Sequence, residues 1–361
     1  MQKAKVLFVV ECMAGGVFTY VVNLTNRLAD RYEVCVAHGI RDHTPENYRE
    51  YFDERIRLVH IEHFTRSISA KADFGALMEI RAVVRDFQPD VVHLHSSKAG
   101  VLGRWGINGR KIPMFYTPHG YSFLMNDTGK LKRAIYKGIE KVCAIRPCVT
   151  ISCGLGEHHE TLGLTRWAQY INNGIDRAEV DSIVQTLSRG DGPFTVCTMG
   201  RIAQQKGPEL FDAIARQMPG VNFVWIGDGE LRDCLTAPNI RVTGWLSRAE
   251  ALKEAVNGDV YLMTSRWEGL PIALLEAMYL GKHCVVCDIP GVNDVITDGI
   301  NGYLCGETAD YVRAISACRD NPDFQRTENA RRDILETYNL DVMTRSYQAI
   351  YEEALRNRKI T

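Results

Sequence analysis

Glu268, in Ser265-Arg266-Trp267-Glu268-Gly269-Leu270-Pro271, is followed eight residues later by Glu276 in Ile272-Ala273-Leu274-Leu275-Glu276. The run comes directly after an apolar, strand-like stretch, and Pro271 suits the opening turn of a helix. A helix that starts at the carboxyl end of a parallel strand offers free N–H groups and a positive dipole end to an anion. A diphosphate would fit there, beside Gly269 and Leu270. At 1.5 Å rise per residue the two carboxylates sit roughly 10 Å apart. That separation matches the two ends of a sugar diphosphonucleoside, each carrying vicinal hydroxyls that one carboxylate can accept together. The plain alternative is a helix-start glutamate followed by a second one on a solvated face.

A second loop bears on the choice. Gly200-Arg201-Ile202-Ala203-Gln204-Gln205-Lys206-Gly207 follows the β-branched run that ends at Met199. Arg201 and Lys206 would face the same crevice, and two fixed cations can stabilise the charge that builds on a departing nucleoside diphosphate much as a divalent metal would. The chain contains no Asp-x-Asp, the usual metal and diphosphate clamp. The expectation is therefore a site with no metal and no cofactor, the activated sugar being a substrate.

The elements that must hold these loops are legible from alternation. Short apolar runs at Val6–Val10, Glu33–Ala37, Leu58–Ile61, Val91–His95, Phe115–Thr117 and Val149–Ser152 alternate with helical patterns. The pattern restarts at Thr195–Met199 and continues through Asn222–Ile226, Ile240–Thr243, Val260–Thr264 and His283–Cys287. This is an α/β chain of βαβ units, read as two doubly wound parallel sheets that face a cleft. At 361 residues it suits two domains. We expect a first domain over 1–172, a second over 173–341, and a helix over 342–361 returning to the first. The junction has turn-rich stretches at Asn172-Asn173-Gly174-Ile175-Asp176 and Ser188-Arg189-Gly190-Asp191-Gly192-Pro193.

In this order the motifs resemble glycosyltransferase family four, the retaining enzymes of the GT-B architecture. The resemblance spans nearly the whole chain. Its carriers are Gly15-Gly16 after the first strand, His119 in Thr117-Pro118-His119-Gly120, Asn173-Gly174-Ile175-Asp176, Arg201 with Lys206, Gly227-Asp228-Gly229, and Glu268 with Glu276. It implies that the second domain binds the donor, with Arg201 and Lys206 on the diphosphate, Glu276 on the ribose and Glu268 on the sugar. It also implies that His119 reaches the sugar and that Gly15 and Gly16 let backbone N–H groups approach donor or acceptor. Asn172 stands where the family often has proline, which bears on linker stiffness. Gly227-Asp228-Gly229 reads as support beside the nucleotide, and Trp245 as a neighbour of the base. Ser96–Gly100 and Thr117–Tyr121 are similar to bacterial enzymes that build capsule, exopolysaccharide or O-antigen, which implies a UDP-sugar donor and a lipid-linked or saccharide acceptor. Two rivals share these features: a GT-B epimerase or phosphorylase, and a non-catalytic nucleotide-sugar-binding subunit. A dinucleotide-binding dehydrogenase is excluded, because Ala14-Gly15-Gly16-Val17-Phe18 lacks Gly-x-Gly-x-x-Gly spacing.

Composition narrows the partners. A formal net charge of -1 gives no global field for nucleic acid. The opening apolar run is too short for a signal segment and no 18 apolar residues follow one another, so the expected place is the cytoplasm. Eleven cysteines scattered through apolar runs read as reduced thiols. Cys284 and Cys287 lie on opposite faces of one strand and suggest no redox pair. One local charge cluster stands out. Wound as a helix, 130–142 places Lys130, Arg133, Lys137 and Lys141 in one stripe and Leu131, Ile135, Ile139 and Val142 in another. Either the apolar stripe packs on the first sheet with the lysines in water, or the basic stripe holds the domain on the anionic inner face of the cell membrane. Oligomeric state leaves no trace in the sequence.

Overall fold

The computed structural model describes residues 3–11, 13–41, 44–65, 67–124, 129–185, 187, 190 and 192–358. Ser188, Arg189 and Asp191 of the expected linker, and Cys12, lie outside the described residues. The chain divides into two compact units, Met1–Asn173 with Leu340–Thr361, and Gly174–Asn339.

The first unit contains strands β1 (Lys5–Val10), β2 (Glu33–His38), β3 (Arg57–His60), β4 (Val91–His95), β5 (Met114–Thr117), β6 (Val149–Ser152) and β7 (Ala168–Tyr170). Its helices are α1 (Gly15–Leu28), α2 (Ala70–Phe87), α3 (Ser97–Gly106), α4 (Lys130–Cys143) and α5 (Leu155–Leu162). The sheet is parallel in the order β3-β2-β1-β4-β5-β6-β7. Its central strands read as unbroken apolar runs because helices cover both faces, and Val6 to Val10 are fully buried.

The second unit contains α6 (Arg177–Val184), β8 (Thr195–Met199), α7 (Pro208–Gln217), β9 (Asn222–Ile226), β10 (Ile240–Val242), α8 (Arg248–Val256), β11 (Val260–Met263), α9 (Ile272–Tyr279), β12 (His283–Cys287), β13 (Tyr303–Cys305), α10 (Thr308–Asp320) and α11 (Phe324–Glu336). Its sheet runs β10-β9-β8-β11-β12-β13, again parallel. Both sheets are doubly wound, so the chain is an α/β protein with two Rossmann-like sheets. Two edge strands, β7 and β13, lie outside the runs read from the sequence: at three residues each, Ala168-Gln169-Tyr170 and Tyr303-Leu304-Cys305 hold no β-branched residue, whereas the equally short β10 is marked by Ile240 and Val242.

The last helix, α12 (Leu340–Arg358), belongs to the first unit and packs on α1. Tyr347 and Tyr351, four residues apart and so on one face, are both fully buried. Tyr347 Oη meets Tyr20 Oη of α1, and Tyr351 Oη lies 2.6 Å from His93 Nδ1 of β4.

The ten described cysteines are free. Cys284 and Cys287 are buried in β12, where burial pushes the Cys287 thiol up to about 12.

Candidate active site

In the second unit the strand order reverses between β8 and β11, and a doubly wound sheet opens its crevice at such a point. The loops after these two strands are the ones that carry Arg201, Lys206 and Glu268. Gly207 lets them touch: its φ is +60°, and a Cβ there would stand 2.3 Å from the Thr264 carbonyl oxygen. Three hydrogen bonds then stitch the loops together. Thr264 Oγ1 donates to the Lys206 carbonyl at 2.8 Å, the Arg266 N–H to the Gln205 carbonyl at 2.8 Å, and Gln205 Nε2 to the Trp267 carbonyl at 3.0 Å. The result is an ammonium fixed on a carboxylate, with Lys206 Nζ 2.6 Å from Glu268 Oε1 and the Glu268 side chain only 7% exposed.

Arg201, on the same loop, takes a different partner. Its Nε donates to Glu230 at 2.9 Å, and both side chains are well exposed. The structure thus brings Lys206 and Glu268 together and sets Arg201 on Glu230.

Pro271 is the cap residue of α9 and stands just before its first turn. Leu270 is buried beside it, and Gly291 crowds the carbonyl of Gly269 so closely that only glycine fits. Glu276, in the second turn, is not on a solvated face: it is 6% exposed and accepts from Arg248 at 2.5 Å. Arg248 also meets Glu179 at 2.6 Å. Caps place both partners, Asp176 starting α6 just before Glu179 and the Ser247–Glu250 capping box starting α8 at Arg248. Burial pushes the Glu276 carboxyl above its ordinary range, against the pull of the Arg248 guanidinium.

Gly227-Asp228-Gly229 supports the Arg201 loop. Added Cβ atoms at Gly227 and Gly229 would each come within 2.3 Å of backbone oxygens, those of Gly200 and Ile202. Asp228 accepts from its own turn and from Arg232. Trp245 is 56% exposed. The cavity lined by Thr195, Asn222, Pro238 and Glu254 lies at the amino ends of the strands, away from these loops.

In the first unit the order reverses between β1 and β4. Gly15 opens α1 at φ +56°, a backbone conformation that favours glycine; Gly16 has no such need, and a Cβ on either residue would meet nothing within 4 Å, so both leave open space. His119 follows β5 with φ +56°. Both of its ring nitrogens have partners within the unit: Nε2 lies 2.9 Å from His95 Nδ1, and Nδ1 lies 3.6 Å from Cys153 Sγ. The Tyr20 ring stands edge-on to it at 4.6 Å. Burial lowers its pKa to about 3, so the ring is neutral at physiological pH. Glu157 holds the loop, accepting from the Gly120 N–H at 2.6 Å and the Cys153 N–H at 2.8 Å.

The basic stripe on α4 is partly spent. Arg133 Nε donates to the Phe123 carbonyl at 2.8 Å and Lys137 Nζ reaches Glu160 at 3.1 Å, while Lys130 and Lys141 are exposed. The apolar stripe does not pack on the sheet; Leu131, Ile135, Ile139 and Val142 all face out.

Sequence reasoning passed over Arg248, Glu179, Glu157 and His95. Only His95 left a trace, as His93-x-His95 on a strand puts both rings on one face. The others depend on pairings between distant segments.

The family model described as Glycosyltransferase Family 4 matches residues 14–179, and the one described as Glycosyl transferases group 1 matches 180–333. The UDP-Gal:alpha-D-GlcNAc-diphosphoundecaprenol alpha-1,3-galactosyltransferase of Escherichia coli is 26% identical over 86% of this chain and 87% of its own. The lipopolysaccharide 1,6-galactosyltransferase of Salmonella typhimurium is 28% identical over 45% of this chain and 50% of its own. Among solved structures, the Anabaena protein HepE in complex with UDP and glucose superposes with a TM-score of 0.76 at 15% identity, covering 97% of this chain and all of its own. Sucrose-phosphate synthase from Thermosynechococcus elongatus gives 0.81 at 14% identity, covering 98% of this chain and all of its own. At these identities the structures establish the GT-B fold.

Proposed function

Because the chain belongs to the glycosyltransferases of family 4 and group 1, we infer that it moves a sugar from a UDP-sugar to a hydroxyl of a lipid-linked saccharide in surface-polysaccharide synthesis. On this reading the product keeps the donor's anomeric configuration, no metal takes part, and the enzyme works on the cytoplasmic side of a membrane. The observation that carries it is the Lys206–Glu268 pair, at 2.6 Å, on the two loops that flank the reversal point of the second sheet.

An ammonium has three donors. One holds Glu268, and the others are available to diphosphate oxygens, with Arg201 on the same loop as the second cation. Glu268 is thereby oriented to accept from sugar hydroxyls, and Glu276, held by Arg248, to accept from the ribose. As the bond between the anomeric carbon and the UDP oxygen breaks, charge grows on the phosphate next to fixed cations. The acceptor oxygen bonds to the anomeric carbon on the face just vacated, and its proton passes to the leaving phosphate. The protein's contribution is orientation and electrostatics. His119, neutral and held by His95 through Nε2, takes part as a hydrogen-bonding group for the sugar by exchanging the 3.6 Å contact of its Nδ1 with Cys153 Sγ for a sugar hydroxyl, with Gly15 and Gly16 offering backbone N–H groups. UDP is supported by the donor named for the Escherichia coli relative, and the lipid carrier by that relative's diphosphoundecaprenol acceptor.

The test is transfer from UDP-sugars to lipid-linked saccharides. Activity should survive EDTA, and the anomeric coupling of the product should match the donor's. Lys206→Ala or Arg201→Ala should lower turnover at saturating donor about a hundredfold or more, while Glu276→Ala weakens UDP binding. Recovery of chelated enzyme by magnesium, an inverted product, or full turnover by either cation variant would reject the corresponding part.

A further inference from the structure

Helix α4 turns its apolar side to solvent. At 3.6 residues per turn Leu131, Ile135, Ile139 and Val142 fall within a sector about 80° wide. They are 78%, 52%, 36% and 55% exposed, and Ile145 just beyond the helix is 69% exposed. The face that docks on the unit is the opposite one. It carries Glu140, buried against Arg104 at 2.7 Å and Tyr116 Oη at 2.9 Å, with Cys143 buried and Tyr136 partly so. Trp105, 45% exposed, flanks the helix's end, its Nε1 on Cys143 Sγ and the Arg146 guanidinium over its ring.

Charge says what covers this stripe. Lys130, Lys137 and Lys141 border it on one side and Lys132 on the other, in a chain whose net charge is -1. A second copy laid on the same face would set lysine against lysine. A surface that is anionic outside and apolar beneath satisfies both features: the flanking ammonium groups meet headgroups while the four aliphatic side chains enter the acyl boundary, with Trp105 at headgroup depth. We propose that α4 is a membrane-insertion helix, lying in the plane of an anionic lipid surface with Leu131, Ile135, Ile139 and Val142 in the lipid. The lysines choose the surface, and the aliphatic stripe holds the protein on it. This goes beyond the reading of a lipid-linked acceptor and stands or falls apart from it, because vesicle binding is read with neither donor nor acceptor present.

The experiment is co-sedimentation of the full chain with phosphatidylcholine vesicles, with and without phosphatidylglycerol. The chain should bind anionic vesicles at least tenfold better than neutral ones, and salt should weaken this binding without abolishing it. Replacing Leu131, Ile135, Ile139 and Val142 together by Gln should abolish it at every salt concentration. Because those side chains are exposed, the melting temperature should stay put. Lys130→Gln, Lys132→Gln and Lys141→Gln combined should remove the preference for anionic lipid. As a second measurement that leaves the surface apolar, Ile135→Trp should shift its fluorescence to the blue on anionic vesicles. Unchanged binding by the four-Gln variant, equal binding to neutral vesicles, no blue shift, or a wild-type dimer that the four-Gln variant dissolves while vesicles go unbound would each overturn the proposal.

Discussion

Arg248 sits between two carboxylates, 2.5 Å from Glu276 and 2.6 Å from Glu179. Its task is to keep Glu276 charged and aimed in a place where burial alone would favour the neutral acid. Arg248→Met should cost about 3 kcal/mol of stability, toward the low end for a broken buried pair because Glu179 keeps contact with water. The sharper expectation concerns pH. Without the guanidinium the Glu276 carboxyl rises further, so the proton returns as pH falls and the ribose loses an acceptor. UDP affinity in the variant should therefore fall more at pH 6 than at pH 8, relative to the parent, as read by titration calorimetry. An equal loss at both would mean that Glu276 does not meet the nucleotide as a carboxylate.

Helix α4 shows how an element can be docked by its polar side. A guanidinium 2% exposed and a carboxylate 6% exposed form its anchor, and the Tyr116 ring lies 4.3 Å under the Arg104 charge. Hydrophobic period assigns the buried face to the aliphatic stripe, and the ion pair overrules it. Glu140→Ala should therefore destabilise the first unit by about 3 to 5 kcal/mol, since it strands Arg104 without a counter-charge. Leu131→Ala, on the conspicuously apolar side, should cost under about 0.5 kcal/mol. Urea unfolding of the two variants checks the contrast, and the reverse order would restore the period-based packing.

At the scale of the molecule, acid should act on the first unit before the second. Burial lowers His38 to about 4 and His119 to about 3, and takes His93 and His95 well below their ordinary value. Unfolded histidines titrate near 6.5. Below that pH the unfolded chain takes up protons that the folded unit refuses, so these groups' contribution is intact above about 6.5 and lost as pH falls toward 4. Glu157, raised to about 6 by burial, works the other way, with stability lost as pH rises through 6, but it is one group against four. From pH 7 to pH 5 the first unit should lose several kcal/mol, and limited proteolysis at pH 5 should cut within it before it cuts the second. Equal resistance of both units would refute this. How much of this was legible beforehand follows from the range of each cause. Strand runs, the helix opening at Pro271, the loop glycines and the Glu268 and Glu276 spacing are local, and local periodicity and turn chemistry are written in neighbouring residues. Which carboxylate meets which cation is not local: Lys206 lies 62 residues from Glu268, Arg248 lies 28 from Glu276, and Arg104 lies 36 from Glu140. The chain alone therefore determined two doubly wound sheets and the loops that carry the chemistry. Only tertiary packing decided that Glu276 is buried on an arginine, that Arg201 pairs with Glu230, that His119 is a neutral ring with both nitrogens engaged, and that the apolar stripe of α4 faces outward. Desolvation settled Glu276 and His119, the buried Arg104–Glu140 pair settled the orientation of α4, and loop geometry set the exposed Arg201 on Glu230; each depends on distant segments that meet only in the fold and leaves no mark in the residue's own stretch of sequence.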